Sequence, residues 1–410
     1  MSVFLSAIAV WGLTCGLFGA EVPHDANSLI TLEDYLHYAE ENNAGLKASF
    51  EEWRGAVEQI PQAKSLSDPV VSYGYATRPT PQRSVFEVMQ TFPWFGTLKE
   101  RGAAASAGER AAERRYRATR LKLFAELKQA YYDYSYLARQ IEIARENLEL
   151  LKHFEDVTRV RYATSGAGHP DYIRSQIEVA KADYELRLLE RQQEPFVARL
   201  NSILNRPATA ALGWPERTEF RKIGLNHAEM IALVIKNNPD LQAMNFEIEQ
   251  ARRQIELSKK RFYPEIGVGV ALDAGMGEDM GSRTMPKVQV TLPIWRDNYS
   301  AGQRQAEAGQ RKAMQLKTES QNSAVAQTAN TIYDFEDSTE RVELYGNVLI
   351  PRAEELLKSS ESAYSGGIID FLDLVESQRL LLQYRLEYER AITENVQKAA
   401  ELERLTGKEL

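Results

Sequence analysis

Several short stretches of the chain alternate apolar residues with small or polar ones. In IGVGVALD (266–273) and KVQVTL (287–292), every second residue is a large aliphatic one, and VVSYGYA (70–76) alternates in the same way. A period of two predicts strands with one apolar face. Stretches rich in proline, glycine and charge (77–84 and 273–284) separate them. The pattern therefore predicts one strand hairpin over 68–93 and a second over 264–293.

A period close to 3.5 residues, typical of coiled coils, follows each strand hairpin. From Leu127 to Leu151 the apolar residues recur at steps of three and four. The glycine-containing breaks TSGAGHP (164–170) and SGGI (365–368) interrupt the helical pattern. We therefore expect helical hairpins over 97–206 and 298–406, and a further helix before each strand hairpin.

The lengths of the predicted helices indicate how they stack. The returning helix 171–206 and the following helix 226–260 together match the length of one long helix. We expect these two to lie end to end as the antiparallel partner of a long helix.

The chain is an internal duplication. YAEENNAGLKA (38–48) resembles LVIKNNPDLQA (233–243), and TFPWFGTLKERG (91–102) resembles TLPIWRDNYSAG (291–302). The related phrases are about two hundred positions apart and keep their order, as a duplication with small insertions requires. We assign a first repeat to 21–206, a linker to 207–225 and a second repeat to 226–410.

The composition of the first twenty residues indicates an export signal, and the charge of the whole chain argues against nucleic acid as a partner. Residues 1–20 carry no charge, which predicts a signal peptide cleaved near Ala20. A retained helical anchor and lipidation at Cys15 are the alternatives. Cys15 is the only cysteine, so the mature chain has no disulfide. The net charge of −8, without a basic patch, argues against nucleic-acid binding.

Four amphipathic strands do not close a barrel by themselves. An open sheet leaves two unpaired edges, which a bilayer does not tolerate. Strands of other chains must complete it, and three chains would give twelve strands, an even number within the range of outer-membrane barrels. The fold class is then mainly α with a small β part: a trimeric twelve-stranded β-barrel on long antiparallel coiled-coil helices. Aromatic rings at 92–95 and 295 are expected at the membrane–water interface, with a buried aromatic cluster as the alternative.

The order of these features resembles the TolC family of outer-membrane efflux channels. The resemblance rests on the doubled NNxxL phrase, the strand hairpins ending at Phe92-Pro93 and Leu292-Pro293, and the segments YATSG (162–166) and YSGG (364–367). It implies a homotrimeric exit duct in the outer membrane with a helical tunnel in the periplasm. A periplasmic adaptor, an inner-membrane transporter and outer-membrane lipid are the implied partners. QTFPWFGTLKERG (90–102) is similar to the branch that serves heavy-metal resistance–nodulation–division pumps, so metal cations and small toxic organic compounds are the expected substrates.

The resemblance also implies three groups of functional residues. The barrel–tunnel junction comprises Phe92, Pro93, Trp94, Leu292, Pro293 and Trp295. The helix-turn tips expected to dock the adaptor contain Gly166, Gly168, Gly366 and Gly367. The periplasmic entrance is assigned to Asp373, Glu376 and Tyr364, with Ile369 where the family pattern has an arginine. A turn without a partner and a solvated acidic pair are the alternatives for the last two groups.

No enzyme chemistry is predicted. The five histidines do not pair at metal-ligand spacing, and the chain has no phosphate-binding glycine loop and no nucleophile elbow. We therefore expect no catalytic residues, no metal site and no cofactor. The alternative function is a structural coiled-coil protein of the cell envelope without a transport role.

Overall fold

The computed structural model describes residues 31–75, 82–164, 168–224, 226–275 and 283–408. The first repeat consists of α1 Leu32–Asn42, α2 Ala44–Lys64, β1 Val70–Tyr75, β2 Gln82–Phe92, α3 Thr97–Ala163, α4 His169–Arg191 and α5 Gln193–Ile203. The second consists of α6 His227–Asn237, α7 Pro239–Lys260, β3 Glu265–Gly275, β4 Arg283–Thr291, α8 Arg296–Leu344, α9 Ile350–Ser365 and α10 Phe371–Thr406. The predicted class, mainly helical with a small sheet, is confirmed. The predicted signal peptide 1–20 and Gly166 lie outside the described residues.

The strands form one antiparallel sheet in the order β1-β2-β3-β4. Tyr73 pairs with Phe86 and Phe86 with Leu272, so their side chains share one face, and all three are exposed. On the opposite face Glu87 and Lys287 form an ion pair at 2.6 Å. The sheet thus has an exposed apolar face and a face with charged groups, as the period of two predicts.

The helices form a wall centred on α3. Near the sheet, the helices lie side by side in the order α2–α3–α7–α8. Further from the sheet, α4 and α5 pack on one side of α3. On its other side α10 packs against α3, and α8 and α9 pack against α10. A π-helical turn, Tyr345–Leu349, joins α8 to α9 just before Pro351, whose ring would clash with the carbonyl of residue 347 in a regular helix. None of the helices in the described residues combines the length and apolar character of a membrane span.

The end-to-end stacking of helices differs from the expectation. The side chain of Asn43, at the start of α2, donates to the carbonyl of Ile203, at the end of α5, at 2.8 Å. Asn238, at the start of α7, donates to the carbonyl of Leu405 in α10 at 3.1 Å. Each returning helix therefore meets the first helices of its own repeat. The expected stacking of 171–206 on 226–260 is wrong, because helix lengths alone fit either pairing.

These two asparagines explain the doubled NNxxL phrase. Asn43 caps α2 by accepting from the backbone of Leu46 at 2.9 Å. Asn238 caps α7 by accepting from the backbone of Asp240 and Leu241 at 3.0 and 3.2 Å. An asparagine amide accepts and donates at the same time, so one side chain both caps a helix and holds the end of another.

The segment assigned as a linker is held against the helical wall. Trp214 stacks on Tyr134 of α3 with ring centroids 4.9 Å apart. Arg217 forms an ion pair with the buried carboxylate of Glu389 at 3.2 Å. Phe220 packs on the small cluster of Val342, Ala391 and Ile392. Because aromatic and charged side chains anchor it at several points, residues 212–221 belong to the fold of the wall.

Candidate functional site: the strand–helix junction and the hairpin tips

The repeated proline-containing phrase forms the strand–helix junction in both repeats. After β2, Gly96 has a φ of +81° and precedes α3. That left-handed conformation suits glycine, which has no Cβ to clash with the backbone. After β4 no glycine is needed, because Trp295 precedes α8 at a φ of −83°. The two copies of the phrase reach the same transition through different turns.

The junction side chains form a largely exposed collar. Phe95 is 78% exposed and Trp295 74%. Phe92 and Leu292 are also exposed, and Pro93 and Pro293 are partly buried. Trp94 is also partly buried, and its ring stacks on Tyr263 with centroids 5.0 Å apart and planes 12° apart. Exposed aromatic side chains are typical of a membrane–water interface. The stacked pair of Trp94 and Tyr263 is the part of the collar that resembles the alternative, a buried aromatic cluster.

The tip of the second repeat is a tight helix C-terminal turn. The backbone of Ile368 donates to the carbonyl of Ala363, and that of Gly367 to the carbonyl of Tyr364. Gly367 has a φ of +73°, as this Schellman arrangement requires, whereas Gly366 keeps an ordinary φ of −77°. Of the two glycines of this tip, therefore, Gly367 is the one whose backbone conformation favours glycine.

Tyr364 is buried, whereas the two carboxylates with which it was grouped are exposed. Its side chain is 1% exposed, and its hydroxyl donates to Thr158 of α3 at 3.1 Å. The guanidinium of Arg161 lies over its ring, 4.4 Å from the centroid, and donates to its backbone carbonyl. Tyr364 therefore ties α9 to the end of α3. Sequence reasoning missed Thr158 and Arg161, because the contact joins residues of different repeats.

Asp373 and Glu376 are exposed on one face of α10, as predicted. Neither carboxylate forms an ion pair with a residue in the described ranges. Arg379, three residues beyond Glu376 on α10, pairs with Glu178 of α4 at 2.7 Å. Ile369 packs against the core. Within one chain, therefore, no basic side chain of the described ranges is paired with either carboxylate.

In the first repeat, the structure describes the two helix ends that flank the tip, and residues 165–167 lie outside the described ranges. Gly168 precedes α4 in an extended conformation with a φ of −75°, so it does not make a left-handed turn. Tyr162 of α3 stacks on Tyr172 of α4 with planes 7° apart, and His169 lies 5.4 Å from the Tyr162 ring. This aromatic group was not predicted, although the spacing of Tyr162 and Tyr172 around the break was visible in the sequence.

No group of three or more His, Cys, Asp or Glu side chains able to hold a metal ion occurs in the described part of the chain. A groove of about 910 Å³ lies between α3, α8 and α10. Its charged groups largely pair with each other, as Lys398 does with Asp334 at 2.7 Å and Arg404 with Glu401 at 2.7 Å. The groove is a polar, charge-balanced surface without the features of a reaction site.

Comparison with known proteins gives one family match per repeat. A profile of the family described as "Outer membrane efflux protein" matches residues 37–206 and 230–408. The cobalt-zinc-cadmium resistance protein CzcC of Cupriavidus metallidurans is 20% identical over 398 residues, or 94% of this chain and 92% of CzcC. The solved outer-membrane channel OprN has a TM-score of 0.79 at 18% identity, covering 92% of this chain and 89% of that one. The outer membrane protein VceC of Vibrio cholerae also has a TM-score of 0.79, at 16% identity, covering 92% and 96%.

Proposed function

The chain belongs to the outer membrane efflux protein family, and from that membership we propose that three copies close into one channel for the export of metal cations. As a member of the family, the protein is the outer-membrane exit duct of a tripartite efflux pump. It extends from the outer membrane into the periplasm and works with a periplasmic adaptor and an inner-membrane transporter. We assign it no catalytic role.

The observation that carries the trimer is the open sheet. β1 and β4 are its edges, and neither has a strand partner on its outer side among the described residues. The exposed apolar face suits lipid, where unpaired backbone groups are costly. β1 and β4 run antiparallel, so β4 of one copy can continue the ladder at β1 of the next. Three copies would give a closed ring of twelve strands.

The edges of the helical wall support the same assembly independently. Near the sheet the outermost helices are α2 and α8. On α2, Glu52 and Glu58 are exposed, and on α8, Arg311 and Lys312 are exposed. None of these four pairs with a described residue. Exposed apolar side chains accompany both edges, including Phe50 on α2 and Met314, Leu316 on α8. The unpaired glutamates on one edge and the unpaired basic side chains on the other, each beside apolar surface, are complementary between neighbouring copies.

Metal cations are the proposed substrate because of the unpaired carboxylates on α10 and the likeness to CzcC. In a trimer, three copies of Asp373 and Glu376 would surround one opening and concentrate cations there. CzcC is a cobalt-zinc-cadmium resistance protein. We therefore propose a transporter of the resistance–nodulation–division type as the inner-membrane partner, and the glycine-turn tips as the surface that meets the adaptor.

Disulfide trapping tests the trimer. Ser72 of β1 and Met285, Lys287 and Gln289 of β4 lie on the same face of the sheet. Ser72→Cys is combined in turn with a cysteine at each β4 position, because the register between copies is not known in advance. Within one chain β1 and β4 are three strand spacings apart, about 14 Å, whereas a disulfide needs Cα atoms within about 7 Å. Any disulfide between them therefore joins two copies.

We expect one double variant to yield a covalent trimer on a non-reducing gel of outer membranes. Ser72→Cys alone, and Ser72→Cys with Lys312→Cys on α8, are the controls. The controls should show no trimer, since no edge pairing brings those residues together. If all three double variants stay monomeric while the protein fractionates without membrane, the structural coiled-coil alternative replaces the channel.

A further inference from the structure

Basic residues occupy the terminal turns of the helices directly beneath the aromatic collar. They are Lys64 at the end of α2, Lys99 in the first turn of α3, Lys260 and Arg261 at the end of α7, and Arg296 at the start of α8. We name these five residues the basic girdle. None forms an ion pair with a residue in the described ranges. One to two turns deeper, by contrast, Arg253 is paired with Glu249 at 2.8 Å and with Glu100 at 3.3 Å.

Helix electrostatics do not account for the whole girdle. A cation in the last turn of a helix is stabilised by the helix dipole, which suffices for Lys64, Lys260 and Arg261. Lys99 and Arg296 lie in first turns, where the same dipole disfavours a positive charge. Their position therefore calls for another source of negative charge. Asp68, Glu265 and Asp297 at this level offset part of the girdle and leave a local positive excess in a chain of net charge −8.

Lys260 is part of an ordered group with the collar. Its ammonium lies 6.0 Å from the centroid of the Tyr263 ring, and Tyr263 stacks on Trp94. The ammonium would be 3.6 Å from a Cβ placed on Gly96. Phe95 packs edge-on against Trp94 and is otherwise exposed. Lys99 follows Gly96 by about one helical turn and is exposed, so it lies in the same part of the chain as this group.

We propose that the girdle binds the phosphate groups of anionic phospholipids in the periplasmic leaflet of the outer membrane. The proposal rests on the membrane-spanning sheet of the proposed function. The acyl chains would lie along the exposed apolar face of the strands, which ends at Phe92 and Ile266. The aromatic collar marks the interfacial level, and the headgroup phosphate then reaches Lys99 and Lys260. Such lipids would fix the depth and tilt of the channel in the bilayer.

Quenching of tryptophan fluorescence by brominated lipids tests this site. The full-length protein is reconstituted in phosphatidylcholine vesicles, and brominated phosphatidylglycerol or brominated phosphatidylcholine is added. Trp94 and Trp295 of the collar report on lipids in contact with it. Each basic residue near an anionic headgroup contributes about 1 kcal/mol, or about fivefold in affinity. We expect phosphatidylglycerol to quench at a mole fraction at least about fivefold lower than phosphatidylcholine.

Variants assign the preference to the girdle. Lys99→Gln with Lys260→Gln should bring the two lipids within about twofold, whereas Lys99→Arg with Lys260→Arg should keep the preference because the charge is retained. Lys236→Gln with Lys358→Gln, at exposed positions of α6 and α9 away from the collar, is the matched control and should behave as the wild type. Trimer formation by disulfide trapping shows that each variant has assembled.

The possible failures are distinguishable. Equal quenching of the wild type by both lipids would overturn the lipid site and leave the membrane channel standing. Absence of quenching by either lipid would mean that the collar does not meet the bilayer, which overturns the proposed function as well. Loss of the preference on addition of 10 mM inorganic phosphate would show a free-phosphate site and also overturn the proposal.

Discussion

Replacement of Asn238 by alanine removes the joint between α7 and α10. The side chain is 4% exposed, accepts from two backbone groups of α7 and donates to the carbonyl of Leu405. Loss of the N-cap costs about 1 kcal/mol. A buried carbonyl left without its donor costs about 1–3 kcal/mol more. We therefore expect the free energy of unfolding to fall by about 2–4 kcal/mol in Asn238→Ala.

Thermal unfolding of the detergent-solubilised protein, followed by circular dichroism, measures this effect. Unfolding entropy is about 2.1 cal/mol/K per residue, or about 0.9 kcal/mol/K for 410 residues. The loss then lowers the melting temperature by about 2–5 °C at equal protein concentration. Asn43→Ala should have a smaller effect, since Asn43 is only partly buried and water can replace its bonds.

Asn237→Ala is the matched control. Asn237 is the neighbouring asparagine, and its side chain forms no hydrogen bond with a residue in the described ranges. It should melt within about 1 °C of the wild type, as surface substitutions usually do. If Asn238→Ala and Asn237→Ala have the same melting temperature, the reasoning that Asn238 joins α7 to α10 is refuted.

Three further predictions concern the tip, the entrance and pH. Gly367→Val forces a β-branched residue to a φ of +73° and should impair efflux while trimers persist, whereas Gly366→Ala, at an ordinary φ, should keep efflux in a resistance assay. The double variant Asp373→Asn with Glu376→Gln, measured in planar bilayers, should lose both the preference for cations and the block by multivalent cations added from the periplasmic side. If its selectivity is unchanged, the two carboxylates are only a solvated face of the helix. Burial acts to raise the pKa of Glu394, but hydrogen bonds from Arg341 and Arg390 outweigh it and lower the pKa below its ordinary value of 4.5. The stability from this contact is therefore complete above pH 4.5 and is lost as pH falls through the lowered pKa. Wild type and Glu394→Gln should differ in melting temperature at pH 7, and the difference should shrink steadily as the pH is lowered below 4.5; a constant difference would contradict this.

The amino-acid sequence by itself determined the elements and their duplication. The alternation around Val268 and Val270 identified strands, and the apolar steps from Leu127 to Leu151 identified a long helix, because each period reflects local geometry. The change from one period to the other marked the junction. The residue types there, together with the exposed pair Asp373 and Glu376, were readable without any knowledge of tertiary contacts.

The tertiary structure alone decided which of these residues meet. Asn43 joins α2 to α5, although helix lengths fitted another stacking equally well. Tyr364 is buried beneath Arg161 of the other repeat, and Arg379 pairs with Glu178 rather than with its neighbour on α10. These contacts join residues far apart in sequence. Their geometry depends on how whole helices pack, which neither period nor composition specifies.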